Sequence, residues 1–220
     1  MKILALEFSS DERGVAVLDS TTGQTGAATE RIGKTTHAIA LIESALQQVG
    51  CERTEIECLA IGLGPGSYTG IRAAIALAQG WQLARDIKLL GLSSVECLAA
   101  QAQARGLHGR VYVAVDAQRH EFYLAGYDVE PTSLTEITPL RLVAFDEVAQ
   151  LTQSGAALIG PEVTRWFPNA QVMFPEATTL ARLAAARDNF VPGEKLEPIY
   201  LRETTFVKAP PPRASISQAL

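Results

Sequence analysis

Cysteine and histidine are scarce in these 220 residues, three of each. Cys51, Cys58 and Cys97 lie in apolar segments without a C-x-x-C. An odd, scattered set of thiols excludes a disulfide framework and reads as reduced, buried side chains of a cytoplasmic chain. His37, His108 and His120 lack ligand spacing, so no metal and no cofactor is expected. Positive charge is also in short supply, 19 Lys and Arg against 24 Asp and Glu, for a net charge of -5. Nucleic acid is gripped mainly through a broad positive field, so this chain would not hold it unaided. No apolar run approaches the ~20 residues of a membrane-spanning helix. The start, where Glu7 interrupts an apolar stretch, lacks the parts of a signal peptide. What is present, 47% hydrophobic and 20% charged residues, describes a soluble globular chain. A chain of this length buries about 70% of its unfolded surface and needs no covalent staple.

Short β-prone runs at residues 3–8, 14–18 and 24–30, separated by Ser/Asp/Thr/Gly turns, predict an antiparallel meander. The period then changes. Over residues 35–49, Ile39, Ile42 and Leu46 join other apolar residues on one arc of a helix, with Gly50 as its stop. A buried strand at 58–63, a second helix at 67–85, a strand at 87–90 and a third helix at 94–104 follow. After the turn at 105–109 the pattern restarts. At an offset of 109 residues, Leu4-Ala5-Leu6-Glu7 matches Val113-Ala114-Val115-Asp116, while Glu12, Ala16 and Asp19 match Glu121, Ala125 and Asp128. Two lobes of related, hairpin-first topology are therefore expected, 1–105 and a smaller 106–207, with strands at 111–115, 122–129, 140–143 and 157–159 and helices from 146 and over 178–187. The Pro-rich tail, 208–220, is expected to be disordered.

Three constellations stand out. The run Gly62-Leu63-Gly64-Pro65-Gly66-Ser67-Tyr68-Thr69-Gly70-Ile71-Arg72 sits between a strand and a helix, where glycines and free N–H groups can hold a phosphate. It reads equally as a tight turn capped by Ser67. It is neither a Walker A loop nor a nucleophile elbow, since the Lys-Ser/Thr ending is missing and the serine is misplaced. Second, Glu7 and Asp116 end the two leading strands, where a carboxylate pair can face one cleft and hold Mg²⁺ through water; each acid can instead simply cap its turn. The turns Phe8-Ser9-Ser10 and Ala117-Gln118-Arg119 put bulk where phosphate-binding hairpins carry glycine, so a narrowed cleft is expected. Third, the second helix is nearly devoid of a polar face, and Ala73, Ala76, Gly80 and Ala84 form a small-residue stripe on it. A helix apolar almost all round is covered on both sides, either by the chain's own first helix or by a partner.

Four segments in order, K-I-L-A-L-E at 2–7, G-P-G-S-Y-T-G-I-R at 64–72, D-A-Q-R with E-F-Y at 116–123, and E-P-I-Y-L-R at 197–202, resemble the bacterial TsaB family, formerly YeaZ. The resemblance spans about residues 1–205. It implies an α/β, two-lobed actin/Hsp70-like ATPase (ribonuclease H-like) fold without an active site of its own, a degenerate paralogue of the catalytic subunit TsaD. TsaD binds metal through an H-x-x-x-H pair on its first-lobe helix; here only His37 remains, with Leu41 four residues on. Leu158-Ile159-Gly160-Pro161 is the nearest remnant of TsaD's adenosine-binding stretch. Glu7 stands where the family usually has Asp, and Phe8-Ser9-Ser10 replaces its Thr-rich turn. The resemblance further implies a non-catalytic scaffold that pairs with TsaD through first-lobe helices, receives the ATPase TsaE, and forms a homodimer when TsaD is absent. The complex transfers a threonylcarbamoyl group to N6 of adenosine 37 in tRNAs reading codons that begin with A, and this chain meets tRNA only through it. Expected remnants of a phosphate cleft are Glu7, Ser9, Ser10, Gly64, Gly66, Ser67 and Asp116; the expected partner face is Ile39, Ile42, Leu46, Ala73, Ala76, Gly80 and Ala84. The alternatives are an autonomous ATPase or sugar kinase of the same fold, which the glycine-free turns disfavour, and a peptidase, for which no Ser-His-acid spacing is seen.

Overall fold

A computed structural model describes residues 1–31, 37–153 and 155–202. Its first sheet starts as the expected meander, β1 (Lys2–Glu7), β2 (Glu12–Asp19) and β3 (Thr25–Arg31). β1 and β2 are buried almost throughout, because both faces of the sheet are covered, whereas β3 is an edge strand that is partly exposed. β1 pairs in parallel with β4 (Cys58–Gly62), and β4 with β5 (Lys88–Leu92), giving the order β3-β2-β1-β4-β5. Parallel neighbours need crossovers, which α1 (Ala38–Gln48) and α2 (Tyr68–Ala84) supply. Both helices cover one sheet face. Leu41, Ile42 and Leu46 of α1 and Ile71 and Ile75 of α2 join Leu6, Val17 and Ile61 in one core. Residues 35 and 36 of the expected first helix, and the expected disordered tail at 208–220, lie outside the described residues.

The second sheet repeats the plan. β6 (Gly109–Asp116), β7 (Glu121–Val129) and β8 (Leu134–Ala144) form a meander, α4 (Phe145–Gln153) follows, and β9 (Ala157–Gly160) and β10 (Gln171–Val172) add in parallel, in the order β10-β9-β6-β7-β8. Order and strand sense match the first sheet. The register corrects one part of the sequence comparison. Glu7 lies opposite Gly14, and Asp116 opposite Phe122. With the two acids equivalent, the second turn is one residue shorter, so Ala16 corresponds to Leu124, and its identity with Ala125 is coincidental.

The covering helices cross between lobes. α3 (Ser94–Ala104) follows the first sheet in the chain but packs Val95, Leu98 and Ala102 on Val111 and Val113 of the second. α5 (Ala177–Ala185) follows the second sheet and packs Leu180, Ala181 and Ala184 on Ile3, Ala5 and Ala16 of the first. Gln101 ties them, its side chain donating to the Phe174 carbonyl at 2.9 Å and accepting from the Glu176 amide at 2.8 Å. Among the described residues no helix is long and apolar enough to cross a membrane.

Candidate functional site

The two strand-end acids have different surroundings. Glu7 is fully buried. Its Oε1 accepts from the Ser9 amide at 2.8 Å and its Oε2 from the Ser94 hydroxyl at 2.9 Å; Ser94 Oγ in turn accepts from the Gly64 amide at 3.2 Å. Burial pushes its carboxyl above the ordinary range, against the pull of these hydrogen bonds. Gly62 makes the space, since a Cβ there would lie 2.1 Å from Glu7 Oε2. Glu7 therefore joins β1, the glycine loop and α3 inside the protein instead of facing a cleft.

The glycine loop is also occupied by the protein itself. Ser67 N–H, at the start of α2, donates to the Ser9 carbonyl at 2.7 Å, and Ser67 Oγ accepts from the Gly70 amide at 3.3 Å. A Cβ on Gly66 would lie 2.0 Å from the Ser9 oxygen, at φ +149°, and one on Gly70 would lie 2.1 Å from the Phe8 oxygen. The glycines thus admit the β1–β2 turn against the helix start. Of the two readings of this run, the capped, close-packed turn is the one observed.

A cleft of 380 Å³ opens beside that turn, and its lining joins both lobes: Ser9, Ser10, Asp11, Gly66, Ser67, Tyr68 and Thr69 on one side, Asp116, Gln118, Pro161 and Glu162 among the residues on the other. The bulk expected to narrow it does not enter it: Phe8 turns fully into the first-lobe core and Arg119 is exposed outside the lining. Glu7 and Gly64 are likewise absent from it. Asp11 and Glu162, missed in the sequence, complete an acidic set with Asp116. Glu162's carboxyl is held above the ordinary range by the hydrogen bond it shares with Asp11, then by burial and by the charges of Asp11 and Asp116, against Arg165. No Lys, Arg or His side chain among the described residues lines this cleft, so the charged groups a phosphate would meet there are of like sign. Among the described residues no group of three or more His, Cys, Asp or Glu has the geometry to hold a metal ion.

Asp116 is half-buried, and its Oδ1 accepts from the Gln118 amide at 2.7 Å, the same i to i+2 bond that Glu7 makes to Ser9. Gln118, Arg119 and His120 then occupy the left-handed region at φ +62°, +59° and +60°, which L-residues adopt only at a cost. Asp116→Ala should lower unfolding stability by about 1 kcal/mol, the size of one ordinary hydrogen bond, because solvent screens the carboxylate's charge at this half-exposed site. Urea denaturation checks this.

The helix face also sorts the expected residues. Ile42 and Leu46 are 1% and 5% exposed and belong to the protein's own core, so they are removed from the expected partner face: an arc that looks open in sequence faces the sheet. Ala73, Ala76, Gly80 and Ala84 are exposed, as are Ile39 and Leu83, the last at 90%. Between α1 and α2 lies a 410 Å³ apolar groove lined by Ile39, Ile42, Ala76, Leu77, Gly80, Trp81 and Ala84 together with Arg53, Thr54 and Arg85. A Cβ on Gly80 would meet nothing within 4 Å. The protein's own packing therefore does not require glycine there.

Two sheets of equal strand order, each led by a strand ending in an acid and enclosing a cleft between them, define the two-lobed α/β architecture of actin-like ATPases. The family model described as "TsaD: tRNA N6-adenosine threonylcarbamoyltransferase" matches residues 34–202, and the chain belongs to that family, within its TsaB/YeaZ branch. The protein named "tRNA threonylcarbamoyladenosine biosynthesis protein TsaB" from Escherichia coli is 27% identical over 96% of this chain and 99% of its own, and its Haemophilus influenzae namesake is 26% identical over 96% and 98%. Two solved structures from Pseudomonas aeruginosa, one titled as similar to peptidase YEAZ and one as YeaZ, superpose with TM-scores of 0.78 and 0.76. Each is 26% identical and covers 91% of this chain and 99% of its own.

Proposed function

We propose that this chain works in the biosynthesis of threonylcarbamoyladenosine in tRNA, in the cytoplasm, as a non-catalytic scaffold that pairs with a TsaD-like catalytic subunit. The name of its full-length relatives supports the pathway. The observation that carries the scaffold role is the exposed stripe Ala73, Ala76, Gly80 and Ala84 beside an apolar groove. Small residues without a packing duty at home permit close approach of another helix, and exposed apolar area of this kind marks contact sites. A TsaE-like ATPase would dock on the pair. A second copy of the chain would cover the stripe when the catalytic subunit is absent. Contact with tRNA is then indirect, in keeping with a net charge of -5.

The autonomous ATPase or sugar kinase is disfavoured by the acidic cleft and by a glycine loop filled with Ser9. The peptidase is disfavoured by where the histidines point: His37 pairs with Glu30, and His120 packs against Trp166. Reconstitution of threonylcarbamoyl transfer is the test. Activity should require this chain alongside the catalytic subunit and the ATPase, while the purified chain alone should fall far below the ATP turnover of about 1 per second at the low end for enzymes. Full transfer without the chain, or brisk ATP turnover by it, would refute the scaffold role.

A further inference from the structure

The segment Glu197–Arg202, one of the four that carry the family resemblance, plays no part in the site described above. It crosses from one lobe to the other. Leu196 is buried in the first-lobe core, and the Ile199 amide donates to the Leu63 carbonyl at 2.9 Å, just before the glycine loop. Tyr200 then stacks on Tyr68 in the first turn of α2, ring centroids 5.4 Å apart and 26° from parallel, and the Arg72 guanidinium lies over Tyr68 at 4.2 Å and over Tyr200 at 6.0 Å. Two residues later Arg202 belongs to the other lobe. Its Nη2 donates to the Ala117 carbonyl at 2.9 Å, the Gln118 carbonyl at 3.3 Å and Glu121 Oε2 at 2.5 Å.

We propose that Glu197–Arg202 is an interlobe latch, with Tyr200 as its first-lobe anchor and Arg202 as its second-lobe clasp, which sets the opening of the acidic cleft. Both anchors border that cleft, since Tyr68 and Gln118 line it on opposite sides. The clasp acts where it is needed. The turn after Asp116 holds three successive left-handed residues; its Gln118 and His120 carbonyls accept from the Glu121 and Phe145 amides, and the two N–H groups of Arg202 Nη2 add the Ala117 carbonyl and the Glu121 carboxylate, with the Gln118 carbonyl as a longer, shared acceptor. The anchor is weaker and partly open: Tyr68 and Tyr200 are 54% and 39% exposed. Stacking and cation–π contacts at such sites are modest, so the anchor can be released without unfolding either lobe. Release at Tyr200 frees the chain that positions Arg202, and the strained turn relaxes with the lobes. The latch makes the second-lobe turn dependent on a ring stack in the other lobe, and this dependence separates it from a local cap.

Tyr200→Ala is the decisive variant because it touches nothing in the turn. Two readouts on the full chain are compared: hydrogen exchange at the Ala117 and Glu121 amides, which bond within the turn, and the distance distribution between spin labels on exposed Thr22→Cys and Thr132→Cys, one in each lobe. The native cysteines are buried and free, which directs the labels to the introduced sites. Tyr200→Ala should speed exchange at both turn amides tenfold or more and broaden the distance distribution, while the Gly23 amide of the first-lobe β2–β3 turn keeps its rate. Arg202→Ala should do at least as much, and the double variant no more than Arg202→Ala alone. If Tyr200→Ala leaves either readout at the parent value, or speeds Gly23 equally, the latch is overturned and Arg202 is a local cap. Should Arg202→Ala fail to fold, Tyr200→Ala decides alone.

Discussion

Gly80→Arg should weaken association with a TsaD-like subunit by more than 100-fold while leaving the chain folded. The second half of that expectation follows from open space: a side chain at position 80 meets nothing of its own protein within 4 Å, and replacing glycine in a helix by arginine gains up to about 1 kcal/mol of helix propensity. The first half follows from what a partner helix would meet there. Over Ala76, Gly80 and Ala84 it can approach closely. An arginine would hold it off, or be buried without a counter-charge, which costs about 3–5 kcal/mol; a 100-fold loss needs only about 2.7 kcal/mol. Ala76→Arg should behave alike. Charging Ile42 would be uninformative, because that side chain is 1% exposed in the core and its loss would unfold the chain. Calorimetric titration of a catalytic subunit into the parent and the variant, with matched thermal transitions, measures the effect. A folded Gly80→Arg that binds with parent affinity places the docking surface elsewhere.

The periodic features of the fold were legible in the sequence, and the non-local ones were not. The meander, the third helix at 94–104 and the matching strand-end acids follow from alternation, caps and self-similarity over a few residues, and the structure has them. Amphipathic pattern also placed the small-residue stripe on α2, since one helix face is written at fixed spacing. It does not say which of two apolar faces meets the sheet, so the expected partner face includes Ile42 and Leu46, which face in. The exchange of α3 and α5 between sheets leaves no local mark, because each is simply an alanine-rich helix wherever it lands. Its place directly after the acid puts Phe8 where a phosphate-binding hairpin carries glycine, which points to the cleft. A strand alternates sides, and its ring turned into the core. Asp11 and Glu162 come together only through the closure of two lobes, 151 positions apart in the sequence; the one signal that pointed there was the remnant loop at Gly160-Pro161.

Glu7→Ala should cost about 3 kcal/mol of unfolding stability, and Glu7→Gln should flatten the pH dependence instead. The alanine variant leaves an empty volume beneath Gly62 and strips acceptors from the buried Ser9 amide and Ser94 hydroxyl, losses that add as in other core truncations. Glutamine keeps an acceptor for Ser9 and can donate to Ser94 Oγ. The pH effect has a definite sign. A carboxyl raised by burial binds more protons in the folded than in the unfolded chain between its ordinary value of 4.5 and its raised folded value. Unfolding free energy therefore falls as pH rises through that interval; the stabilising contribution is present on the acid side and lost toward neutrality. This is the reverse of a salt-bridged surface carboxylate, and the cause is desolvation without a cationic partner. In urea titrations from pH 5 to 8, the parent should lose stability relative to Glu7→Gln as pH rises. Parallel curves for the two would mean that Glu7 ionises in its buried site as readily as in water, and the account of Glu7 as a desolvated internal brace would be wrong.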